Sequence, residues 1–515
     1  MSAIILLVIF YCSGNTPPLG TWSKPKGNQR KVIPFTEHPG LPTHLRSSMS
    51  NASPADFFQL LVSDSLFQEI ADRTNRFAIN KIARSEEASR FARLRKWVPT
   101  DLEEIKKFFG LILFMGITKL PRLAEYWSTN NIVGHPFPRT IMPRNRFELI
   151  LQMLHFSEDD EVNKKDRLHR IRYLLQILNE QFQKHYTPGE DLCIDESVVP
   201  FRGRIIFRQY NKQKRHKYGI KEFKLCCIPG YTYKVNVYAG KNDETTNTTP
   251  FNVVMDLLNG LLNKGHTLYT DNWYTSIELA RALLDNETHL VGTIRKNRRH
   301  LPKKVIRTKL KKGEFIAQEN KDGITAMKWR DKREVLVLST KHSDRFVKIK
   351  KRKGNVVMKP QIITDYNTAK GAVDLSDQMA AYSSPLRKSV KWYKKLAIDL
   401  LLNTSMVNAL TLYKSVTKHK NIQIVDFRRS VMMNLCGVSQ NAAPKEIPKR
   451  VKHTLEKKDG LARKVRRTCR QCYAENVPIM GSKQAKTKTQ KVSTYCGSCP
   501  KKPYLCLPCF NKIHF

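Results

Sequence analysis

The chain has 515 residues, 41% hydrophobic and 26% charged, enough to bury a sizeable core and to form several domains. Its formal net charge is +46, from 91 Lys/Arg against 45 Asp/Glu. Such an excess points to a polyanion, above all nucleic acid, ahead of membrane headgroups. No P-loop, GxSxG or Ser-His-Asp pattern is present, which sets aside the hydrolase classes those motifs serve.

The first 52 residues read as a mostly disordered leader, rich in Pro, Gly, Ser and Lys after residue 12. An apolar run at 3–12 is too short to span a bilayer, and no Lys or Arg precedes it as in a signal peptide. No other segment reads as transmembrane. Helix is expected from Ser53, which can cap, with Pro54 in the first turn, through the apolar pattern to Phe77. A second start is expected at Thr100-Asp101-Leu102-Glu103, a capping-box pattern. Further helical periods lie at 143–155 and 169–186. Residues 53–186 thus form an α-helical domain, expected to serve dimerisation and DNA binding.

The period then changes. Short strands are expected at 192–199, 222–228, 231–238 and 266–270, with helices at 251–263 and 275–285. This is an α/β sheet domain over 187–294, resumed at 361–435, where the pattern returns to helix. Between these parts lies a strongly basic block, 295–360, with strand-like pieces at 334–340, 345–353 and 356–363. It reads as a β-rich insertion. Residues 436–468 read as a basic linker, and 469–515 hold six of the eleven cysteines.

Three acidic islands interrupt the positive charge. They are CIDESVVPFRGR around Asp195, YTDNWYTS around Asp271, and GAVDLSDQM around Asp374 and Asp377. Carboxylates repel nucleic acid but hold the divalent ions that cut it. Asp195 is expected on the first strand, Asp271 at the end of a later one, and Asp374 at a helix start with Asp377 one turn on. Each alone is also an ordinary turn or first-turn acid. Three together, beside basic blocks on an α/β sheet, favour Asp195, Asp271 and Asp374 as ligands of paired Mg²⁺ or Mn²⁺ ions.

DESVVPFRGR, KYGIK, YTDNWYTS, GTIRKNRRHLP and YNTAKGAVDLSDQM, in this order, resemble the transposase core of the piggyBac family. The resemblance runs from about residue 22 to 436, and the cysteine tail continues it. It implies an RNase H-like catalytic domain with an Asp triad on Asp195, Asp271 and Asp374 and a supporting Asp377. It implies cut-and-paste transposition: nicking of transposon ends, hairpin formation and joining into TTAA targets. The partners are then double-stranded DNA and a second copy of the chain, with no membrane role, and the compartment is the nucleus. Expected DNA contacts are Arg202, Arg204, Lys217, Lys221, Arg295, Lys296, Arg298 and Arg299, with Trp392 matching a family tryptophan. The alternative is a domesticated DNA-binding nuclear protein that no longer mobilises DNA.

Cys469-x2-Cys472, Cys496-x2-Cys499 and Cys506-x2-Cys509, followed by His514, make a zinc signal. Seven ligands nearly complete two tetrahedral sites, and the eighth is not evident. Zinc there stands in for a core too small to fold alone. A ubiquitin-ligase cross-brace is the rival arrangement, disfavoured because the pairs lack apolar partner-binding residues.

Overall fold

The protein is described here by a computed structural model covering residues 21–26, 33–84, 96–130, 132–158, 166–212, 216–240, 249–350, 354–388, 391–438 and 453–514. The apolar run at 3–12 lies outside these residues, as does 439–452 of the expected linker. Two compact units divide the chain, Met1–Ala442 and Ala443–Phe515.

The first long helices of the first unit start at side chains that satisfy free backbone N–H groups. Ser53 accepts from Asp56 N while the Asp56 carboxylate accepts from Ser53 N at 2.7 Å, with Pro54 in the first turn. The single helix expected after it is two. Pro54–Leu61 ends, and Ser63 caps a new helix, Asp64–Ala83. A serine followed by aspartate offers the backbone a fresh cap, which outweighs the continuing apolar period. The next cap is Asp101, not Thr100. Asp101 accepts from Glu104 N at 2.8 Å, and the Thr100 hydroxyl donates to the Glu104 carboxylate at 2.7 Å. Helix Leu102–Ile117 is buried on all sides from Phe108 to Gly116.

Nine strands form one sheet: β1 Asp191–Pro200, β2 Gln209–Tyr210, β3 Tyr218–Cys227, β4 Tyr231–Val237, β5 Thr267–Thr270, β6 His289–Thr293, β7 Phe315–Glu319, β8 Thr325–Arg330 and β9 Glu334–Ser339. The order is β2-β3-β1-β5-β6-β9-β8-β7, with β4 also on β3. β1, β5 and β6 are parallel, and every other pairing is antiparallel. The basic block 295–360 was expected as an insertion. Its strands β7–β9 join the main sheet through β6, while the hairpin of Phe346–Lys350 with Val356–Pro360 pairs apart. The reason is burial. Met327, Trp329 and Val337 pack with Ile362, Ile363 and Tyr366 of helix Gln361–Ala369, which no detached hairpin would bury.

One continuous core runs from Leu41 to Cys436 and takes side chains from both the helical segment and the sheet. Residues 53–186 are therefore packed into the same body as the sheet. The helical run Trp392–Val416 is long and apolar enough to cross a membrane but is buried in this core. Within it, Leu400–Thr404 widens to a π turn. Arg428 is fully buried and satisfies that turn, donating to Leu402 O at 2.7 Å and Asn403 Oδ1 at 3.1 Å. Its charge faces buried Asp399. Arg428→Met strips both supports and is expected to cost roughly 3–5 kcal/mol. Urea unfolding reads this as a lower midpoint, and an unchanged midpoint would contradict it.

Candidate functional site

The parallel pairing of β1 with β5 places two of the three acidic islands side by side. Ile194 pairs with Thr270, so Asp195 and Asp271 occupy the next positions on neighbouring strands. Ligand and catalytic groups collect at such carboxyl ends of parallel strands. Both aspartates are half-buried. Asp271 accepts from Trp273 N at 2.8 Å, fixing the turn after β5. Thr275 donates to Asp271 O at 2.8 Å, and Gly292 on β6 makes room for it, since a Cβ there would lie 2.3 Å from that hydroxyl.

Burial, then the charge of Glu196, raise the Asp271 carboxyl above its ordinary range, while the N–H groups of Trp273 and Tyr274 and the charge of Arg295 oppose the shift. Tyr274 is raised by burial and then by Glu196, Asp195 and Asp271. Tyr366 is pushed up to about 12 by burial, with Asp271 and Asp195 both contributing. Two tyrosines thus sense Asp195 and Asp271 together. The Tyr274 hydroxyl is buried and has no hydrogen-bond partner among the described residues.

The third island lies on helix Ala372–Ala381, which packs on β1 and β3 through Ala372 and Val373 against Cys193 and Cys226. Asp374 is in its first turn and exposed. Asp377 is not open in the same way. Its Oδ1 accepts from Ser197 Oγ at 2.9 Å and from Lys224 Nζ at 3.0 Å, which makes it a strut between helix and sheet.

Among the described residues no three carboxylates bring donor atoms within 4.8 Å of one another. A pair of ions about 3.5–4 Å apart, each about 2.1 Å from its oxygens, spans more than that distance. Half-buried Asp195 and Asp271 at neighbouring strand ends, with the Asp271 carboxyl raised by burial, fit hard divalent ions.

The expected DNA contacts divide. Arg202, Arg204, Lys217, Arg295, Lys296 and Arg299 are exposed. Arg295 also donates to Asn272 Oδ1 at 2.9 Å, and Lys296 pairs with Glu334 at 3.1 Å. Arg298 is half-buried and donates to the Trp273 carbonyl, so it braces the Asp271 turn. Lys221 pairs with Glu196 at 2.6 Å and sits over the rings of Phe223 and Trp273. Trp392 is half-buried, edge-on to Phe207 at 5.2 Å. Lys224 carried no sequence signal of its own, and Glu196 and Tyr274 lay inside the motifs without an assigned role. The strand alternation that puts Asp195 on one face puts Glu196 on the other, where Lys221 pairs with it.

In the second unit all seven predicted ligands fall into two quartets, Cys469/Cys472/Cys506/Cys509 and His453/Cys496/Cys499/His514. His453 completes the second quartet as the eighth candidate ligand. It stands within 436–468, expected as a plain linker, where Leu455–Lys457 also pairs with Thr494–Cys496. A ligand deficit with a histidine upstream was the available signal. The quartets interleave along the chain, which is the ligand pairing of a cross-brace. CxxC spacing defines half-sites, whereas the strand pairing decides which halves meet. In the first quartet Cys506 Sγ lies 3.7 Å from the sulfurs of Cys469 and Cys472, and Cys472 Sγ 3.3 Å from Cys509 Sγ; His453 Nδ1 lies 3.3 and 3.4 Å from Cys496 and Cys499 Sγ. A tetrahedron with Zn–S of about 2.3 Å has edges of about 3.7 Å, so both quartets fit zinc. Elemental analysis of the purified chain is expected to give two zinc ions, and His453→Ala about one. Two ions retained in that variant would contradict the assignment.

Three comparisons bear on this arrangement. A family model described as Transposase IS4 matches residues 53–410. Human piggyBac transposable element-derived protein 2 is 24% identical over 401 residues, covering 74% of this chain and 64% of the relative. Human piggyBac transposable element-derived protein 3 is 26% identical over the same shares. The chain thus spans a little under two thirds of these relatives' length. Among solved structures, the cryo-EM structure of the piggyBac transposase synaptic complex with hairpin DNA is similar at a TM-score of 0.64 and 27% identity, over 78% of this chain and 83% of that one. A transposase family match over most of the chain, with this mixed α/β fold and these relatives, places the chain in the piggyBac transposase family.

Proposed function

We propose that the protein is a DDD-type DNA transposase with an RNase H-like core, cutting and rejoining DNA by the cut-and-paste route at TTAA targets. The observation that carries this reading is the placement of Asp195 and Asp271 at adjacent parallel strand ends, with the Asp374 helix packed on the same strand. These three carboxylates would hold Mg²⁺ or Mn²⁺. Bound there, the ions supply activation of the attacking oxygen and stabilisation of the leaving oxygen at a phosphodiester. The protein's own groups do the rest. Asp377 braces the helix that carries Asp374. Lys221 neutralises Glu196 and so keeps it from competing as a ligand. Arg298 holds the Asp271 turn, and exposed Arg202, Arg204, Lys217, Arg295 and Arg299 meet the phosphates beside the cut.

Net charge of +46 supports DNA as the partner, as does likeness to a transposase seen on hairpin DNA. The two Cys/His quartets support a zinc-bound tail, set in a basic segment suited to DNA ends. A homodimer on paired ends and a nuclear location belong to the same proposal. The second reading, a DNA-binding protein that no longer moves DNA, is favoured by relatives described as transposable element-derived.

Incubation with Mg²⁺ and DNA bearing terminal repeats beside TTAA separates the two. Wild type is expected to nick, and Asp271→Asn to bind the DNA but nick more than about 100-fold slower, beyond the cost of losing a group behind a ligand. Tight binding by wild type without any metal-dependent nick would sink the enzyme reading and leave the second.

A further inference from the structure

The carboxylate site stands on a largely buried ion cluster. Lys224 on β3 lies directly opposite Asp195 of β1 in the strand register. Its side chain is almost wholly buried. Its ammonium lies 3.0 Å from Asp377 Oδ1 and 3.4 Å from Glu222 Oε2. Asp377 is one helical turn after Asp374. A single amine therefore joins the strand pair that carries Asp195 to the helix that carries Asp374.

The surroundings show that this link is set rather than incidental. Ser197, two residues after Asp195 and on the same face, donates to the same Asp377 oxygen. Cys193, two residues before Asp195, donates to Lys370 O ahead of the helix at 3.2 Å. Thr232 on β4 hydrogen-bonds Ser376 at 3.0 Å, and Asn408 clamps Thr232 through both N and O. The far end of the helix is held by Arg428, which donates to Ala380 O at 3.2 Å. Gly230 lets the β3–β4 turn approach: its φ is +96°, and a Cβ there would meet Leu375 and Ser376 at 3.3 Å.

Charge balance gives the lysine its grip. Burial alone would lower its pKa, but Asp377, Glu222 and Asp399 together raise it, so it stays charged. Burial raises the Glu222 carboxyl to about 7, opposed first by the charge of Lys224. Burial also raises Asp399, which Asn403 contacts at 2.7 Å. A buried charge with its partner removed relaxes by moving or by taking in water, and either displaces the helix.

We propose that Lys224 is a positioning residue of the carboxylate site: its clamp on Asp377 sets the spacing between Asp195 and Asp374, and thereby the affinity for divalent cations. This rests on the reading of those aspartates as metal ligands. Groups that hold a ligand's orientation from behind are worth about 10–100-fold in metal affinity.

The test is Mn²⁺ binding to the zinc-loaded, full-length protein, followed by electron paramagnetic resonance without DNA. Wild type, Asp271→Asn, Lys224→Met, Asp377→Asn and the Lys224→Met/Asp377→Asn pair are compared, with circular dichroism as the check on folding. Wild type is expected to bind Mn²⁺ and Asp271→Asn to lose that binding. Lys224→Met and Asp377→Asn should each weaken it about tenfold, and the pair no further, because both break one link. Native affinity in Lys224→Met, or a pair whose loss is the product of the singles, overturns the positioning role and leaves the metal site standing. Binding that is absent from wild type, or unaffected by Asp271→Asn, overturns the metal reading and the clamp with it. Should Lys224→Met not fold, Lys224→Arg keeps the charge but alters its reach. Its affinity should then fall as well, and unchanged affinity would overturn the proposal.

Discussion

The parallel pairing of β1 with β5 is the constraint on which the rest of the site depends. Parallel strands need a crossover, and here it runs through β3, β4 and helix Pro250–Leu257 before the chain returns beside β1. That return is what makes residues 195 and 271 neighbours. A one-residue slip would turn Asp195 to the opposite face and bring Glu196 round in its place. The register is held by burial on both faces, since Leu192, Cys193 and Ile194 are all buried, as is every residue of β5. Core packing thus fixes the position of a carboxylate that by itself would be destabilising there.

The same logic explains why a chain with such positive charge keeps acids at its centre. Exposed arginines and lysines on loops are free to meet a polyanion and are screened by salt. Glu222 and Asp399 are buried and Asp271 is half-buried, and the direction of their shifts reflects that burial first. The cluster around Lys224 neutralises two of these acids from within the protein. Among the described residues Asp271 has two backbone N–H groups and the charge of exposed Arg295 against its burial, and no buried cation, which is the electrostatic reason to look for a metal ion there.

Much of this was legible in the residues. Strand positions, the Ser53 cap and the three aspartates follow from local pattern, because alternation and capping are local physics. The break at Ser63 and the shift of the cap to Asp101 were small misreadings of the same signals. What stayed hidden was tertiary. Lys224 reads as one more basic residue in a basic block until its register opposite Asp195 is known. Arg298 and Lys221 sat among expected DNA contacts, yet the fold uses one as a brace and the other as a counter-ion. The basic block reads as an insertion because the pattern returns to helix after it, and the sequence did not show that β8 and β9 put their apolar side chains inside the sheet's own core. His453 lies far from its partners in sequence and is brought to them by the pairing of Leu455–Lys457 with Thr494–Cys496.

The central claim is that carboxylates from two strands and one helix form a single divalent-metal centre. Anomalous diffraction at the manganese edge, from crystals of the full chain grown with Mn²⁺, tests it most directly. Anomalous density between Asp195 and Asp271, within ligand distance of Asp374, is the expected result. Ordered manganese elsewhere, with these three carboxylates bare, would contradict it.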